Sequence, residues 1–505
     1  MFDEITDVTQ GEQLLLDFAN KFTEGSIVDL DQLCSMFPRM GLVRKIAEAN
    51  KFMHWELEFA ELFAERGGFD LIIGNPPWIK IEWNEQGVLS DTHPMFAVKK
   101  LTATQVVQQR KKALNYSITK ELYFSEYESL SGMQNFLNAA QNYPELKGQQ
   151  TNLFKCFLPQ AWKYGTARGV SAFIHPDGVF DDPNGGYFRE IMYPKLRKHF
   201  QFTNELKLFS EVHHNTVFSL NVYCNEKNSK FEMIANLFAA STIEQCYDIS
   251  IFGKIPGIKD DENNWNISGH PARIVRIGRN ELALFAQLFD GTDNWKQARL
   301  PVLHTQVFLE VLECFVNQKT LGNDRDAISY SEMWHETNAQ NEGVIERKVH
   351  FPDSPMSMIY SGPHIGVANP LFKTSRKICR LNSDYDNIDL QCVSNEYWQR
   401  CNYEPCCSII DYNKMMPTTP WGINTDRSYR IIARKMLNIS GERTLIAIMP
   451  PLGTGHIHGI FGVSFRELKT AIQELALCAS LPLDFFVKVL GKSNLQSESL
   501  CFQTF

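Results

Sequence analysis

The stretch Phe69-Asp70-Leu71-Ile72-Ile73-Gly74 limits what this chain can fold into more than any other. It is a short apolar run released by Gly67-Gly68 and closed by Gly74, and it leads straight into Asn75-Pro76-Pro77-Trp78. A run of that length, bounded by turn residues, predicts a buried sheet strand that opens into a loop. Open α/β sheets carry their ligand sites at the carboxyl ends of strands, so the loop is placed for chemistry.

The loop's composition suggests which chemistry. Two prolines fix the backbone and remove two N–H donors, leaving carbonyls to accept. The Asn75 side-chain oxygen and the Pro76 carbonyl can both accept from one exocyclic amine, and Trp78 offers a flat face to an aromatic ring. An aryl amine is a poor nucleophile because its lone pair is delocalised. Two acceptors that draw its hydrogens out of plane favour the tetrahedral geometry needed to attack a methyl sulfonium, by electrostatics and positioning. A base inside a duplex must first leave the stack to reach such a loop. The alternative is a plain turn after a strand.

Around this loop the chain reads as follows. Residues 1–66 are expected to be helical, from Leu14, Leu15, Phe18, Ala19 and Phe22 and again from Trp55, Phe59, Leu62 and Phe63 at helical spacing. Residues 91–165 read as polar helices with Lys99, Lys100, Arg110, Lys111, Lys112 and Lys120. Further strands are expected at 169–174, stopped by His175-Pro176, and as a pair at 202–209 and 216–224. This is the second half of a mixed α/β sheet over 67–228. After Asn225-Glu226-Lys227-Asn228 short strands and turns alternate without a period, which sets a domain boundary near 228 and a mixed α+β region over 229–505.

Net charge is −8 over 505 residues, so any contact with nucleic acid must come from a local basic surface. Twelve cysteines are scattered, and the tightest group, Cys401, Cys406 and Cys407, lacks zinc-ligand spacing; no metal site is expected. No apolar run is long enough to cross a bilayer and the N-terminus lacks a secretory pattern, giving the expectation of a cytoplasmic protein with no membrane partner.

Phe69–Trp78 resembles motif IV of the gamma-class amino-methyltransferases within the type IIG-like restriction–modification adenine methyltransferases. Asn152-Leu153-Phe154 resembles the segment that follows in that family near the cofactor pocket, and Gly169–Pro176 its next sheet strand. Phe209–Phe218, with His213 and His214, resembles the stretch giving a second stacking group to the flipped base, so Phe209 and His213 are both candidates beside Trp78. Arg427-Ser428-Tyr429-Arg430 and Asn438–Ile446 are similar to the family's target-recognition region. Arg427, Arg430, Arg434 and Lys435 are spaced to share a helix face, and Lys373, Arg376, Lys377 and Arg380 form a second cluster. Both sets are candidates for phosphate or base contacts, with a solvated basic face as the alternative.

The resemblance implies a partial class I (Rossmann-like) methyltransferase sheet followed by a target-recognition domain. It also implies methyl transfer from S-adenosylmethionine to the N6 amine of adenine in double-stranded DNA, within a restriction–modification or related phage-defence system. One departure is large. The Gly-x-Gly loop that holds the cofactor in that family does not occur in residues 1–69, leaving Asp70 and Asn152 as peripheral contacts at most. Gly453-Thr454-Gly455 raises a permuted order, in a region similar to target recognition. A half sheet exposes apolar edges, so the sequence predicts a fragment or split subunit that docks with a partner polypeptide carrying the cofactor half. Ser497–Phe505 end without a clear terminal element, which predicts truncation there as well. The rival readings are an inactive DNA-recognition module left from such an enzyme, and methylation of RNA or of a protein glutamine.

Overall fold

The computed structural model describes residues 30–99, 101, 103–149, 152–316, 327–367 and 373–495. The expectations for Leu14–Phe22, Lys100 and Ser497–Phe505 lie outside them. The chain divides into two compact units, Met1–Phe69 and Asp70–Phe505.

In the first unit the helices Leu30–Met36, Pro38–Asn50, Trp55–Glu58 and Ala60–Arg66 match the helical periodicity. Trp55, Phe59 and Phe63 gather around Phe69, with ring centroids 5.9, 5.2 and 5.6 Å from it. Gly67, at φ 75°, takes the left-handed conformation that ends the last helix.

The second unit is built on a six-stranded sheet. Its strands are β1 (Phe69–Gly74), β2 (Gly165–Pro176), β3 (Leu196–Thr203), β4 (Val217–Cys224), β5 (Phe231–Leu237) and β6 (Val275–Ile277), in the order β1-β2-β4-β3-β5-β6. β4 is antiparallel to both β2 and β3, while β5 runs parallel to β3. The strands alternate between two covered faces. One face, with Phe173, Tyr223, Met233 and Val275, packs under the helices Leu153–Tyr164 and Gly186–Met192. The other, with Phe200, Phe202, Phe218 and Ile234, forms a smaller core that includes Trp78 and Phe209 at its margin.

Two expectations are corrected here. The boundary near 228 fails: β5 and β6 belong to the same sheet, and its core extends through Leu309 and Phe315 to Phe486 and Val489. The turn at 225–228 joins two strands of one sheet, and its polar composition was taken for a linker. The strand pair also begins earlier: β3 ends at Thr203 opposite Val217, and 204–209 turn away instead of pairing.

The later sequence forms four more strand groups, from β7 (Ile328–Ser331), β8 (Ile345–Glu346), β9 (Ile359–Tyr360), β10 (Lys373–Ser375), β11 (Tyr385–Asn387), β12 (Glu404–Pro405), β13 (Tyr429–Arg434), β14 (Ala447–Ile448), β15 (Gly455–His456) and β16 (Ile460–Phe465). The largest is a four-stranded sheet, β14-β13-β16-β7, covered by the helix Leu468–Cys478. The helix Leu481–Val489 stitches the two main cores together, giving Phe486 and Val489 to one and Leu483 and Val487 to the other. Among the described residues no single helix is long and apolar enough to cross a membrane. The bent pair Leu468–Cys478 and Leu481–Val489 passes that test together, and Ala471, Cys478, Leu483, Phe486, Val487 and Val489 on it are packed into these cores.

Candidate active site

Gly74 closes β1 against the ring of Phe173 on β2, where an added Cβ would lie 3.3 Å from Phe173 Cε1. The close approach lets the next four residues leave the sheet beside the end of β2. Pro76 is buried and holds the turn, while Asn75 and Pro77 face solvent. Among the described residues neither the amide of the exposed Asn75 nor the carbonyl of the buried Pro76 has a hydrogen-bond partner.

Trp78 is half-buried and anchored at both ends. Its Nε1 donates to the Ile174 carbonyl of β2 at 3.3 Å. Its ring lies 5.6 Å from Phe218 and meets Phe209 edge-on at 5.3 Å and 65°. The loop beyond is tied to the start of the Leu153–Tyr164 helix through Leu153 N to Ile79 O at 3.0 Å and a bridge between Lys80 and Asn152. The Gln134 amide of the long helix Ser117–Asn138 donates to the Ile81 carbonyl at 2.6 Å. At that junction Asn152 Oδ1 is buried without a partner.

The other expected residues are dispersed. Phe209 joins Trp78, but the exposed His213 stacks on His214 at 4.5 Å. Asp70 stands exposed on β1. Arg427–Lys435 is not a helix: β13 runs Tyr429–Arg434, so its side chains alternate between faces. Arg430 is 2% exposed and donates to the carbonyls of Thr425 and Thr454. It therefore cannot reach a phosphate, and burial draws Arg434 inward as well, lowering its pKa. Arg427 stays exposed, as do Arg376, Lys377 and Arg380, with Arg376 paired to Asp386 at 2.9 Å; Lys373 is half-buried on β10.

Gly453-Thr454-Gly455 is no cofactor loop. Thr454 is sealed against Arg430, and Gly455 pairs with β9 under the helix Ile409–Met415, where a Cβ would lie 2.9 Å from the Tyr412 hydroxyl. Nor does any glycine-rich strand–loop–helix adjoin β1 among the described residues. The described residues therefore do not supply a cofactor loop, and Asn152 meets the Asn75–Trp78 loop only through its bridge to Lys80.

Sequence reasoning missed a polar network buried under the sheet. Asn221 Nδ2 donates to His175 Nε2 at 2.9 Å, the Tyr223 hydroxyl lies 3.0 Å from the same nitrogen, and His199 Nδ1 meets Asn221 Oδ1 at 2.8 Å. Gln201 Nε2 donates to Asp177 at 2.7 Å. Burial pushes the His175 pKa down to about 4, so the ring is neutral. The signal was available: Ser219, Asn221 and Tyr223 alternate along β4 on one face, opposite His175 and His199. The network fixes the end of β2, whose next carbonyl, that of Ile174, holds Trp78.

Comparison with known proteins follows this geometry. Residues 13–118, which include β1 and the Asn75–Trp78 loop, match the Eco57I restriction-modification methylase family. The comparison with curated proteins finds no match. Among solved structures, the chain is similar to the methyltransferase subunit of a type I restriction-modification system from Streptococcus thermophilus, at 16% identity over 40% of this chain and 29% of that one, TM-score 0.19. It is similar to the type IIL restriction-modification enzyme MmeI in complex with DNA, at 9% identity over 86% and 45%, TM-score 0.30. It is also similar to the type IIG restriction endonuclease BpuSI, at 12% identity over 72% and 43%, TM-score 0.25. The chain thus spans less than half the length of each of these three solved chains.

Proposed function

We propose that this chain is the base-binding and DNA-recognition part of a DNA adenine methyltransferase of a restriction–modification system. The observation that carries the reading is the Asn75–Trp78 loop: an exposed Asn75 amide and the Pro76 carbonyl, both without a hydrogen-bond partner among the described residues, beside an indole held in place from behind. In this reading the acceptors grip the two hydrogens of the adenine N6 amine and turn its lone pair outward, while Trp78 stacks on the ring. Stacking of a base on an aromatic side chain is worth about 1–3 kcal/mol. S-adenosylmethionine supplies the methyl group when bound, and its match to the family model over residues 13–118 supports that donor. Exposed Arg427, Arg376 and Lys377 are the proposed phosphate contacts.

The cofactor half comes, on this proposal, from another polypeptide segment. Among the described residues β1 is the outer strand of its sheet, and Leu71 and Ile73 on it are 58% and 71% exposed. An apolar edge strand of this kind invites pairing with a further strand. The occupant proposed is a strand that ends in a Gly-x-Gly loop, which would place the methyl donor next to Asn75.

The same free edge favours a second reading, a recognition module without catalysis. One experiment separates them. The protein, alone and together with the product of the adjacent reading frame, is incubated with unmodified DNA and tritiated S-adenosylmethionine. Label transfer to adenine that requires the second polypeptide and is lost in Asn75→Ala supports the methyltransferase. Sequence-specific DNA binding without transfer supports the module, and neither binding nor transfer overturns both.

A further inference from the structure

Phe209 stands against Trp78, and its backbone and its ring are held in different ways. Phe209 lies edge-on to Trp78 with ring centroids 5.3 Å apart. A base sandwiched between two rings needs about 7 Å, twice the van der Waals spacing of stacked carbon. Either the backbone at 209 or the Phe209 ring alone must therefore move.

Asn204 decides between them. It is fully buried at the start of the turn after β3, and its side-chain amide is spent on the backbone of that turn. Its Oδ1 accepts from Phe209 N at 2.9 Å, and its Nδ2 donates to Phe209 O at 2.8 Å and to Val212 O at 2.9 Å. Residue 209 is thus clamped by both of its own peptide groups. The clamp's frame is closed by Asn204 N to Thr216 O at 3.1 Å, which joins the turn to β4. Buried hydrogen bonds of this kind are expensive to leave unmade. The ring is held by packing alone: it is half-buried at the margin of the smaller core, against Trp78 and Phe218.

We propose that Asn204 is a positioning residue that fixes the backbone of residue 209, so that the Phe209 ring alone swings from the edge of Trp78 to the free face of a bound base. The inference rests on the base-site reading of the Asn75–Trp78 loop. It favours Phe209 over His213 as the second stacking group, since Phe209 meets Trp78 while the exposed His213 is tied to its own turn, its Nδ1 accepting from Asn215 N at 3.3 Å.

The probe is a single-stranded oligothymidylate with one central 2-aminopurine, whose fluorescence is quenched on stacking and which needs no duplex to open. The unsubstituted protein is expected to bind and quench it. Trp78→Ala abolishes quenching, and Phe209→Ala and Asn204→Ala each weaken binding about tenfold, the loss of one stacking partner. The double variant Asn204→Ala/Phe209→Ala is expected to match Phe209→Ala alone, because Asn204 acts through Phe209. Additive losses, or Asn204→Ala binding as well as the parent, overturn the inference. Quenching that is absent, or unchanged by Trp78→Ala, overturns the base-site reading itself and this inference with it. If Asn204→Ala does not fold, amide exchange on the unsubstituted protein decides: residue 209 should exchange slowly, and equally with and without the oligonucleotide. Fast exchange at 209 overturns the inference.

Discussion

Two polar clusters of this molecule look alike in sequence and are opposites in space. Asn75–Trp78 and Asp426–Arg430 each combine a turn, an aromatic ring and side chains suited to gripping a ligand. The first sits at the end of an edge strand with the Asn75 amide exposed. The second is folded inward: Asp426 is 1% exposed, Arg430 2%, and His456 is fully buried nearby. Arg430 Nε, Asp426 Oδ1 and His456 Nε2 are all buried without a partner. Burial lowers the Arg430 pKa to about 10 and that of His456 to about 3, while it raises that of Asp426. A buried charge is retained for what it holds together, and an open acceptor for what it can receive. The difference teaches that the same residue types mark a site only where the fold leaves their hydrogen bonds unspent.

That contrast can be broken most forcefully at Asn75. Asn75→Ala removes an exposed amide, so thermal stability should not change. Methyl transfer by the assembled enzyme should fall on the order of 10²–10³-fold, the usual loss when one preorganised polar group leaves a site of developing charge. Label transfer and a melting curve read both. Near-normal transfer would place the chemistry elsewhere.

Arg430→Ala should behave in the reverse manner. It strips donors from the Thr425 and Thr454 carbonyls and leaves Asp426 without its nearby cation, which costs about 2–4 kcal/mol. Urea unfolding measures this, and DNA affinity of the fraction that stays folded should match the parent. Arg427→Ala, three residues earlier but exposed, should leave the unfolding midpoint in place and reduce the slope of log K against log salt by about 0.9, the release of one counterion. If the two arginines exchanged these phenotypes, the inward and outward assignments would be wrong.

The legibility of these regions from sequence follows the same line. The bounds of β1 were legible, because a short apolar run between glycines followed by two prolines has few conformations; its expected burial is corrected, since as the outermost described strand it leaves Leu71 and Ile73 58% and 71% exposed. β13 was misread as a helix because Arg427, Arg430 and Arg434 recur at helical spacing. The contrary signals were Ile431 and Ile432, β-branched residues that suit a pleated surface, and they were outweighed by the charges. The strand ending at Thr203 was carried on to Phe209 because Leu206, Leu208 and Phe209 look apolar. Lys207 at φ 56° shows the chain turning there, with the Asn204 amide bonded to the backbone of residues 209 and 212, a side-chain-to-backbone turn that apolar spacing does not reveal. The boundary at 228 failed for a related reason, since a polar turn between two strands of one sheet has the composition of a linker.

The smallest effect lies at Glu474, on the helix that covers the second sheet, and it sharpens the comparison from the buried side. Its carboxyl faces a small cavity lined by Ile431, Ala433, Phe461, Val463 and Cys478, and Oε2 is buried without a partner. Burial in these apolar surroundings raises its pKa to about 7. The folded state therefore holds a proton that the unfolded chain releases near pH 4.5. The neutral acid is tolerated at low pH, stability falls as pH rises from about 4.5 to 7, and above that the penalty is constant. Glu474→Gln should remove this slope and, at pH 8, stabilise the protein by about 1 kcal/mol, the low end of what an unsatisfied buried polar group costs. The gain should shrink towards zero at pH 5, where the parent is protonated too. A variant equally stable to the parent at pH 8 would mean that Glu474 has found a partner after all, and that this buried carboxylate, like Arg430, is held rather than stranded.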